Sequence, residues 1–190
     1  VAFDWNGTLL ADTKTVYKAD NKVLSLLGRK NVSYRDFLNY FDVPVIKYYK
    51  SLGLPEKLLT EKAEFIGNSF HEIYKQRENT FRTRAHAKQV LLSLKGDMTP
   101  VVIFSNHIEE KINQQLQRLK LTDLIEKVLA NSKLSAAYLA RSKGKRLSDY
   151  LNEKGIKPNE VLIVGDTVEE IEIAKEIGAV SASITNGNCS

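Results

Sequence analysis

The chain has 190 residues, of which 43% are hydrophobic and 27% are charged, and it carries a formal net charge of +5. This composition is typical of a globular protein of one domain with a modest insertion, and it excludes a largely disordered chain. No apolar run approaches the roughly 20 residues that span a bilayer and no signal-peptide pattern is visible, so we expect a cytoplasmic protein without a membrane partner. The single cysteine, Cys189, agrees with a reducing compartment.

The positive charge raises the question of a nucleic-acid partner. Basic residues cluster at 82–88 (RTRAHAK) and at 141–146 (RSKGKR). Neither cluster is interleaved with aromatic residues, and neither contains a nucleic-acid-binding motif. We therefore predict solvated faces and no nucleic-acid partner, with attraction of an anionic small molecule as the alternative for the second cluster.

Short apolar segments rich in β-branched residues predict the strands of a sheet. Four of them are predicted to be buried parallel strands: 1–3, 101–104, 161–164 and 179–184. A weaker fifth strand is expected at 127–130. Amphipathic patterns between the later strands predict helices: 108–119, 147–151 before Gly155, and 171–177 before Gly178. This alternation predicts an α/β fold with a doubly wound parallel sheet.

The stretch from 13 to 81 interrupts the alternation. It shows helical patterns and no convincing strand, and the expected helices are 16–27, 34–40, 45–52 and 57–76, with Pro44 and Pro55 near helix starts. We interpret residues 13–81 as an all-helical cap inserted into a core domain made of residues 1–12 and 82–190. Such a cap would sit above the carboxyl edge of the sheet, where doubly wound folds bind ligands. Because Val1 falls inside a predicted strand, we also expect residues to be missing at both ends.

Polar residues able to do chemistry follow three of the predicted strands. Asp4 ends the first, Ser105 and Asn106 end the second, and Asp166 follows the strand at 161–164. Parallel strands of one sheet present these ends to a shared space. Two carboxylates meeting there would repel each other unless a cation lay between them, and hard oxygen ligands suit Mg²⁺.

As an ordered set, these segments resemble the motifs of the haloacid dehalogenase superfamily of phosphatases and related hydrolases. In chain order they are Asp4-Trp5-Asn6-Gly7-Thr8-Leu9, Ser105 in VVIFSN, a lysine for which Lys143 has better spacing than Lys145, and Gly165-Asp166-Thr167-Val168-Glu169-Glu170. The helical insertion stands where that superfamily has a helical cap. By architecture, the nearest likeness is to phosphoglycolate-phosphatase-like members.

The resemblance implies a role for each matched residue. Asp4 would attack phosphorus and form an aspartyl-phosphate. Mg²⁺ would be held by Asp4, the backbone carbonyl of Asn6 and Asp166, with Glu170 as an outer partner. The phosphoryl group would be bound by Ser105, Asn106, the lysine and the backbone N–H groups of Gly7 and Thr8.

The sequence departs from the superfamily pattern at Asn6, where phosphatases usually carry a second aspartate that protonates the leaving oxygen. An amide does not exchange a proton near neutral pH, so hydrolysis should be slowed. Three outcomes stay open: a substrate with a good leaving group, substitution by another group such as His107, or binding without turnover. Glu170 stands where the superfamily usually has an aspartate, and the alternative interpretation is that Glu170 is a solvated acid. For Glu169, a solvated acid is the expectation. His107 is otherwise expected to be a surface or capping residue.

The function that follows is a Mg²⁺-dependent phosphatase acting on a small phosphorylated metabolite, as a monomer or homodimer. The alternative is a catalytically weak or inactive protein of the same fold that binds phosphorylated ligands. A dehalogenase or phosphonatase fits the residue at position 6 less well. A response-regulator-like phosphoacceptor is disfavoured by the large helical insertion and by the place of Asp4 on the first strand.

Overall fold

A parallel five-stranded sheet forms the centre of the protein. The computed structural model describes residues 1–132 and 142–189. In these residues the strand order is β3-β2-β1-β4-β5, and every neighbouring pair is parallel. The strands are β1 Ala2–Phe3, β2 Val102–Ile108, β3 Lys127–Asn131, β4 Leu162–Gly165 and β5 Val180–Ser183. All five predicted strands and the α/β fold class are confirmed.

The central strand β1 places Asp4 at the carboxyl edge of the sheet. Phe3 pairs with Ile103 on one side and with Val164 on the other. The next residue continues the ladder, since the Asp4 N–H donates to the Val164 carbonyl at 2.9 Å. A short strand is stable here because it is paired along both edges and its side chains are buried on both faces.

Two strands differ in detail from expectation. The strand β2 does not end at Phe104 but continues to Ile108, with a register shift against β3 over that extension. Ser105 therefore lies within the strand rather than in the following turn. The strand β5 was predicted to be buried, and this is wrong: all four of its residues are exposed, Val180 by 58%. It is the edge strand, so it has a neighbour on one side only.

Helices cover both faces of the sheet, because alternate residues of each strand point to opposite faces. Phe3 and Ile103 belong to one buried cluster, whereas Ala2 and Val102 belong to a second. The helices of this part of the chain are α6 Ala87–Gly96, α7 Glu109–Leu119, α8 Lys143–Lys154 and α9 Val168–Ile177. The sequence patterns predicted most or part of α7, α8 and α9, and they placed the ends of α8 and α9 correctly at Gly155 and Gly178. They did not predict α6.

The stretch between β1 and β2 is helical, as expected, and has no strand between residues 13 and 81. Its helices are α1 Thr13–Leu26, α2 Tyr34–Tyr40, α3 Val45–Ser51, α4 Glu56–Glu61 and α5 Ala63–Lys75. The single helix predicted over 57–76 is wrong, because Lys62 leaves the helical conformation and separates α4 from α5. Pro44 and Pro55 are the N-cap residues of α3 and α4.

Aromatic rings hold these helices together. Phe37 of α2 lies with its ring centroid 5.8 Å from that of Tyr48 in α3 and 5.6 Å from that of Tyr17 in α1. The two connections to the sheet run side by side, since the Ala11 N–H donates to the Arg82 carbonyl at 2.9 Å. This pairing holds the helices over the carboxyl edge. The division into a cap at 13–81 and a core stays an interpretation. None of the described helices is both long and apolar enough to cross a membrane.

Candidate active site

Asp4 is a buried carboxylate, 6% exposed, whose Oδ1 lies 3.1 Å from the Nζ of Lys143. Burial raises the pKa of Asp4; the Lys143 charge lowers it and the charges of Glu170 and Asp166 raise it again, leaving it well above its usual range. The carboxylates at positions 4 and 166, far apart in sequence, thus come close enough to influence each other. The sequence predicted that these two acids converge on a divalent ion, and the ion between them stays a prediction.

Lys143 begins helix α8 and holds three carboxylates. Its Nζ is 3.1 Å from Asp4 and 3.2 Å from Glu169, and it also pairs with Glu170. Burial alone would lower the pKa of Lys143, but the three acidic neighbours raise it well above its usual value. Lys145 is exposed and pairs with Asp149 instead, 2.7 Å away. Of the two lysines considered from the sequence, Lys143 is the one in the site.

The first turn of α9 supplies two buried acids. Thr167 caps the helix, and Glu170 closes a capping box by accepting from the Thr167 N–H at 2.9 Å. Glu169 accepts from the Asn106 side chain at 2.8 Å. Both glutamates are only 1% exposed, so the expectation of solvated acids is wrong. Burial raises the pKa of Glu170, but Lys143 and the Thr167 hydrogen bonds outweigh it and leave that pKa below its usual value.

Asp166 is held by the loop after β1 and by the end of the described chain. The Thr8 hydroxyl donates to its Oδ1 at 2.7 Å, and the Asn188 N–H donates to its Oδ2. Burial raises the pKa of Asp166 to about 6, although these hydrogen bonds oppose the shift. A Cβ on Gly187 would lie 2.2 Å from Asp166, so only glycine fits there. The sequence interpretation missed Gly187 and Asn188, for which the Asn-Gly turn after the last strand was the available signal.

The Asn6 side chain is fixed by two partners that the sequence interpretation did not identify. Its amide donates to Asp12 Oδ2 at 2.7 Å and to the Tyr74 hydroxyl at 2.9 Å. Tyr74 in turn donates to Asp12 at 2.7 Å, and the Gly7 N–H donates to the other Asp12 oxygen at 2.9 Å. The Gly7 N–H, predicted to bind the phosphoryl group, therefore has a protein acceptor. Thr8 contributes its hydroxyl to Asp166, which leaves its N–H as the predicted phosphoryl donor of this loop.

The extension of β2 brings Ser105, Asn106 and His107 to the same site. Ser105 is 2% exposed, and its hydroxyl accepts from the His107 N–H at 3.2 Å. The His107 Nε2 is buried and has no hydrogen-bond partner among the described residues. Burial lowers the pKa of His107 to about 4, helped by the charges of His71 and Lys111. The expected surface or capping role is wrong, because His107 lines the cavity as a neutral imidazole.

Arginines from both basic clusters support the site rather than face solvent. Arg84 donates to the carbonyls of Gly7 at 2.7 Å and of Thr185 at 2.8 Å. Arg146 donates to the Ser105 carbonyl at 2.8 Å. The prediction of plain solvated faces is therefore wrong for these two arginines. Arg141, at the start of the second cluster, lies outside the described residues.

A cavity of about 210 Å³ lies between the sheet edge and the helices α1, α3 and α5. Its polar end is formed by side chains from the strand ends and from α8 and α9, namely Asp4, Asn6, Ser105, Asn106, Lys143 and Glu169. Its opposite wall comes from the helical segment and is mainly apolar. Binding pockets for drug-sized ligands run from about 300 to 1,000 Å³, so this cavity suits a small metabolite.

The residues at the polar end fit a divalent cation in chemistry. Three buried acids, Asp4, Glu169 and Glu170, contact the single buried lysine of the described residues, and Asp166 is a further buried acid whose pKa responds to the charges of Lys143 and Glu170. Within residues 1–132 and 142–189, no three Asp, Glu, His or Cys side chains are grouped so as to hold a metal ion. The predicted ligand set needs only two carboxylates and the Asn6 carbonyl, which accepts here from the Asn188 amide at 3.3 Å. These oxygens are the donors that Mg²⁺ prefers.

The fold and the site define a doubly wound α/β protein with an acidic, lysine-containing site at the carboxyl edge and a helical segment above it. Residues 1–184 match the family of haloacid dehalogenase-like hydrolases. The chain belongs to that family.

Known proteins of similar sequence and structure agree. The phosphoglycolate phosphatase of Synechococcus elongatus is 22% identical over 191 residues, covering 98% of this chain and 84% of its own. A predicted phosphatase from Clostridium acetobutylicum superposes with a TM-score of 0.80 at 18% identity, over 100% of this chain and 85% of that one. A haloacid dehalogenase-like hydrolase from Streptococcus pneumoniae gives 0.79 at 18% identity, with the same coverage. The structural likeness shows a shared fold.

Proposed function

We propose that the protein is a Mg²⁺-dependent phosphatase that cleaves small phosphate monoesters through an aspartyl-phosphate on Asp4. The observation that carries the proposal is the contact of the buried Asp4 with Lys143 at the end of a small cavity, beside Ser105. The phosphatase named among its relatives supports the choice of phosphate chemistry.

In the first half-reaction, an Asp4 oxygen attacks phosphorus and the bond from phosphorus to the ester oxygen breaks. The charge of Lys143 favours the ionised form of the buried nucleophile, and Ser105 and Asn106 are placed to bind phosphoryl oxygens. When bound, Mg²⁺ would neutralise charge between the nucleophile and the phosphoryl oxygens. The residues that would hold it are Asp4, Asp166 and the Asn6 carbonyl, with Glu170 as an outer partner.

The proton balance of the reaction depends on Asn6 and His107. Asn6 cannot protonate the leaving oxygen, and its amide N–H groups already donate hydrogen bonds to Asp12 and Tyr74. His107, with a pKa lowered to about 4 by burial, is neutral at pH 7 and so is no proton donor. Its Nε2, which has no partner among the described residues, can accept the proton of the water that attacks the aspartyl-phosphate in the second half-reaction, but a pKa of about 4 makes it a weak base. The first half-reaction therefore favours substrates with good leaving groups.

A second candidate function is binding of phosphorylated ligands without turnover. The observation in its favour is the fixed Asn6 amide, because no acid replaces the missing aspartate at that position. The two candidates share a cavity and a ligand class and differ in whether phosphate is released.

Phosphate release decides between them. Acetyl phosphate and p-nitrophenyl phosphate, which have good leaving groups, are offered with Mg²⁺ to the parent protein and to Asp4→Asn. A phosphatase releases phosphate from both, loses that activity with a chelator, and loses it in Asp4→Asn. Binding of either compound with no release by the parent would establish the second candidate. Equal release by Asp4→Asn would overturn Asp4 as the nucleophile.

A further inference from the structure

The helical wall of the cavity contains a buried acid that the proposed chemistry does not use. Asp20, on the second turn of α1, lines the cavity and is only 1% exposed. Its Oδ1 accepts from the Tyr49 hydroxyl at 2.6 Å. Its Oδ2 is buried and has no hydrogen-bond partner among the described residues. A buried carboxylate oxygen without a hydrogen-bond partner destabilises the folded protein, so the presence of Asp20 at this position needs an explanation.

The surroundings of Asp20 give it no compensating charge. Within the described ranges it takes part in no ion pair. Apolar and aromatic side chains of the helical segment line the same cavity, among them Val16, Phe41, Val45, Ile66 and Phe70. Burial lowers the pKa of His71, the histidine on this side of the cavity, so it is neutral at pH 7. Burial likewise raises the pKa of Asp20 to about 7, with only the Tyr49 hydrogen bond opposing it.

Asp20 is also separated from the reacting end of the cavity. It lies seven residues into α1, which at 1.5 Å per residue is about 10 Å along the helix from Thr13. Asp4 and Lys143 line the same cavity from the sheet edge. A ligand of suitable length whose phosphate meets Asp4 would therefore bring its other end to Asp20.

We propose that Asp20 is a specificity residue that accepts a hydrogen bond from a primary ammonium group at the end of the substrate opposite its phosphate. An ammonium supplies both the missing donor and the missing positive charge, whereas a hydroxyl supplies the donor alone. Phe41 and Phe70 also line the cavity, and aromatic rings attract cations. The substrate class is then a short aminoalkyl phosphate monoester. This inference rests on the proposed function, whose site it shares.

Three esters that differ in one terminal group test the inference. They are 2-aminoethyl phosphate, 2-hydroxyethyl phosphate and propyl phosphate, offered to the Mg²⁺-loaded protein, with the series repeated at one and two additional carbons. Affinity is measured by calorimetry and as inhibition of p-nitrophenyl phosphate hydrolysis. The ammonium ester should bind about 10- to 100-fold more tightly than the methyl ester, the range expected for a charge-assisted hydrogen bond. Equal affinities across all lengths would overturn the inference.

Three variants separate recognition from a structural role. Asp20→Asn should bring the ammonium-to-methyl affinity ratio close to one. Asp97→Asn makes the same change at an exposed acid, and should leave the ratio as in the parent. Tyr49→Phe removes the hydrogen bond to Asp20 and keeps the carboxylate, so it should also keep the preference. If Tyr49→Phe and Asp20→Asn lost the preference equally, the pair would be a structural tie between α1 and α3 and the inference would fail.

The outcomes for the two proposals can be told apart. Release of phosphate from p-nitrophenyl phosphate with no ammonium preference would refute the role of Asp20 and leave the phosphatase standing. Calorimetric preference for the ammonium ester without release of phosphate from any compound would support Asp20 and refute turnover. The parent protein alone answers both questions, even if Asp20→Asn does not fold.

Discussion

Lys143 and Asp4 are 139 residues apart in the chain, and their Nζ and Oδ1 atoms lie 3.1 Å apart at the carboxyl edge of the sheet. The contact joins the end of β1 to the first turn of α8. A buried carboxylate without a cation would take up a proton and lose its nucleophilicity. The lysine therefore has two effects, since its charge favours the ionised form of Asp4 against the burial that raises its pKa, and it ties β1 to α8.

Loss of the Lys143 charge should lower both the stability and the activity of the protein. Lys143→Met leaves Asp4, Glu169 and Glu170 buried without their cation, and breaking a buried ion pair in this way costs about 3 kcal/mol or more. We expect the free energy of unfolding, measured in urea, to fall by at least that amount and phosphate release to disappear. Lys145→Met is the matched control, because Lys145 is exposed and should change stability by less than about 1 kcal/mol. Equal losses in the two variants would contradict the account of the site.

An acid introduced at position 6 should restore the missing proton donor. In Asn6→Asp the new carboxyl lies at hydrogen-bond distance from Asp12, so the pair can share a proton and one pKa is raised. General acid assistance is worth about 10²- to 10⁴-fold, and the gain should be largest for alkyl phosphates, which have poor leaving groups. The measurement is kcat on propyl phosphate and on acetyl phosphate. Asn6→Ala controls for loss of the amide hydrogen bonds, and a gain in Asn6→Ala as large as in Asn6→Asp would show that no acid is needed.

Packing against Asp166 should not tolerate one additional methyl group. A Cβ at Gly187 would lie 2.2 Å from Asp166 Oδ2, so Gly187→Ala must displace either the carboxylate or the chain end. We expect a loss of about 1–3 kcal/mol in unfolding free energy, together with a higher Mg²⁺ concentration for half-maximal activity. Gly96→Ala places its methyl group in open space within α6 and should be neutral or slightly stabilising. Unchanged stability in Gly187→Ala would mean that the packing around Asp166 is loose.

Asp20 should make stability depend on pH in a direction opposite to most acids. Its pKa is raised by burial from 3.8 to about 7, so between these values the folded state keeps a proton that the unfolded state releases. This contribution to stability is present at low pH and is lost as the pH rises towards 7. Asp20→Asn does not titrate, so relative to the parent it should gain about 3 kcal/mol between pH 5 and pH 8.

Urea unfolding of the parent and of Asp20→Asn at the two pH values measures that difference. Tyr48, whose pKa is raised by burial and by the Asp20 charge, stays protonated throughout and does not interfere. Asp97→Asn supplies the control, and a parallel pH dependence of Asp20→Asn and the parent would contradict a buried, protonated Asp20.

Much of the fold could be predicted because its signals are local. Buried parallel strands appear in the sequence as short β-branched runs, and the αL glycines Gly155 and Gly178 mark helix ends. The residues at the strand ends followed from the sheet, since the register that pairs Phe3 with Val164 also brings Asp4 beside Asp166. The sequence pattern does not predict helix α6, and it predicts one helix over 57–76 because hydrophobic spacing continues across Lys62.

The rest of the site depends on contacts between distant residues. The charges of Glu169 and Arg84 predict solvent exposure when each is considered alone. Glu169 is buried because it pairs with Lys143 and accepts a hydrogen bond from Asn106. Arg84 is half-buried because three backbone carbonyls accept its hydrogen bonds. Asp12 precedes helix α1, yet its side chain makes no cap bond and accepts instead from Tyr74, 62 residues away. Partners at such separations are set by the packing of the helices over the sheet.

Chemical trapping of the enzyme during turnover tests the central claim most directly. Protein mixed with Mg²⁺ and acetyl phosphate is quenched and reduced with borohydride, which converts an aspartyl-phosphate to homoserine, and the peptides are then sequenced by mass spectrometry. The account predicts homoserine at position 4 in the parent and none in Asp4→Asn. Phosphate release with position 4 unmodified, or with homoserine at another aspartate, would contradict it.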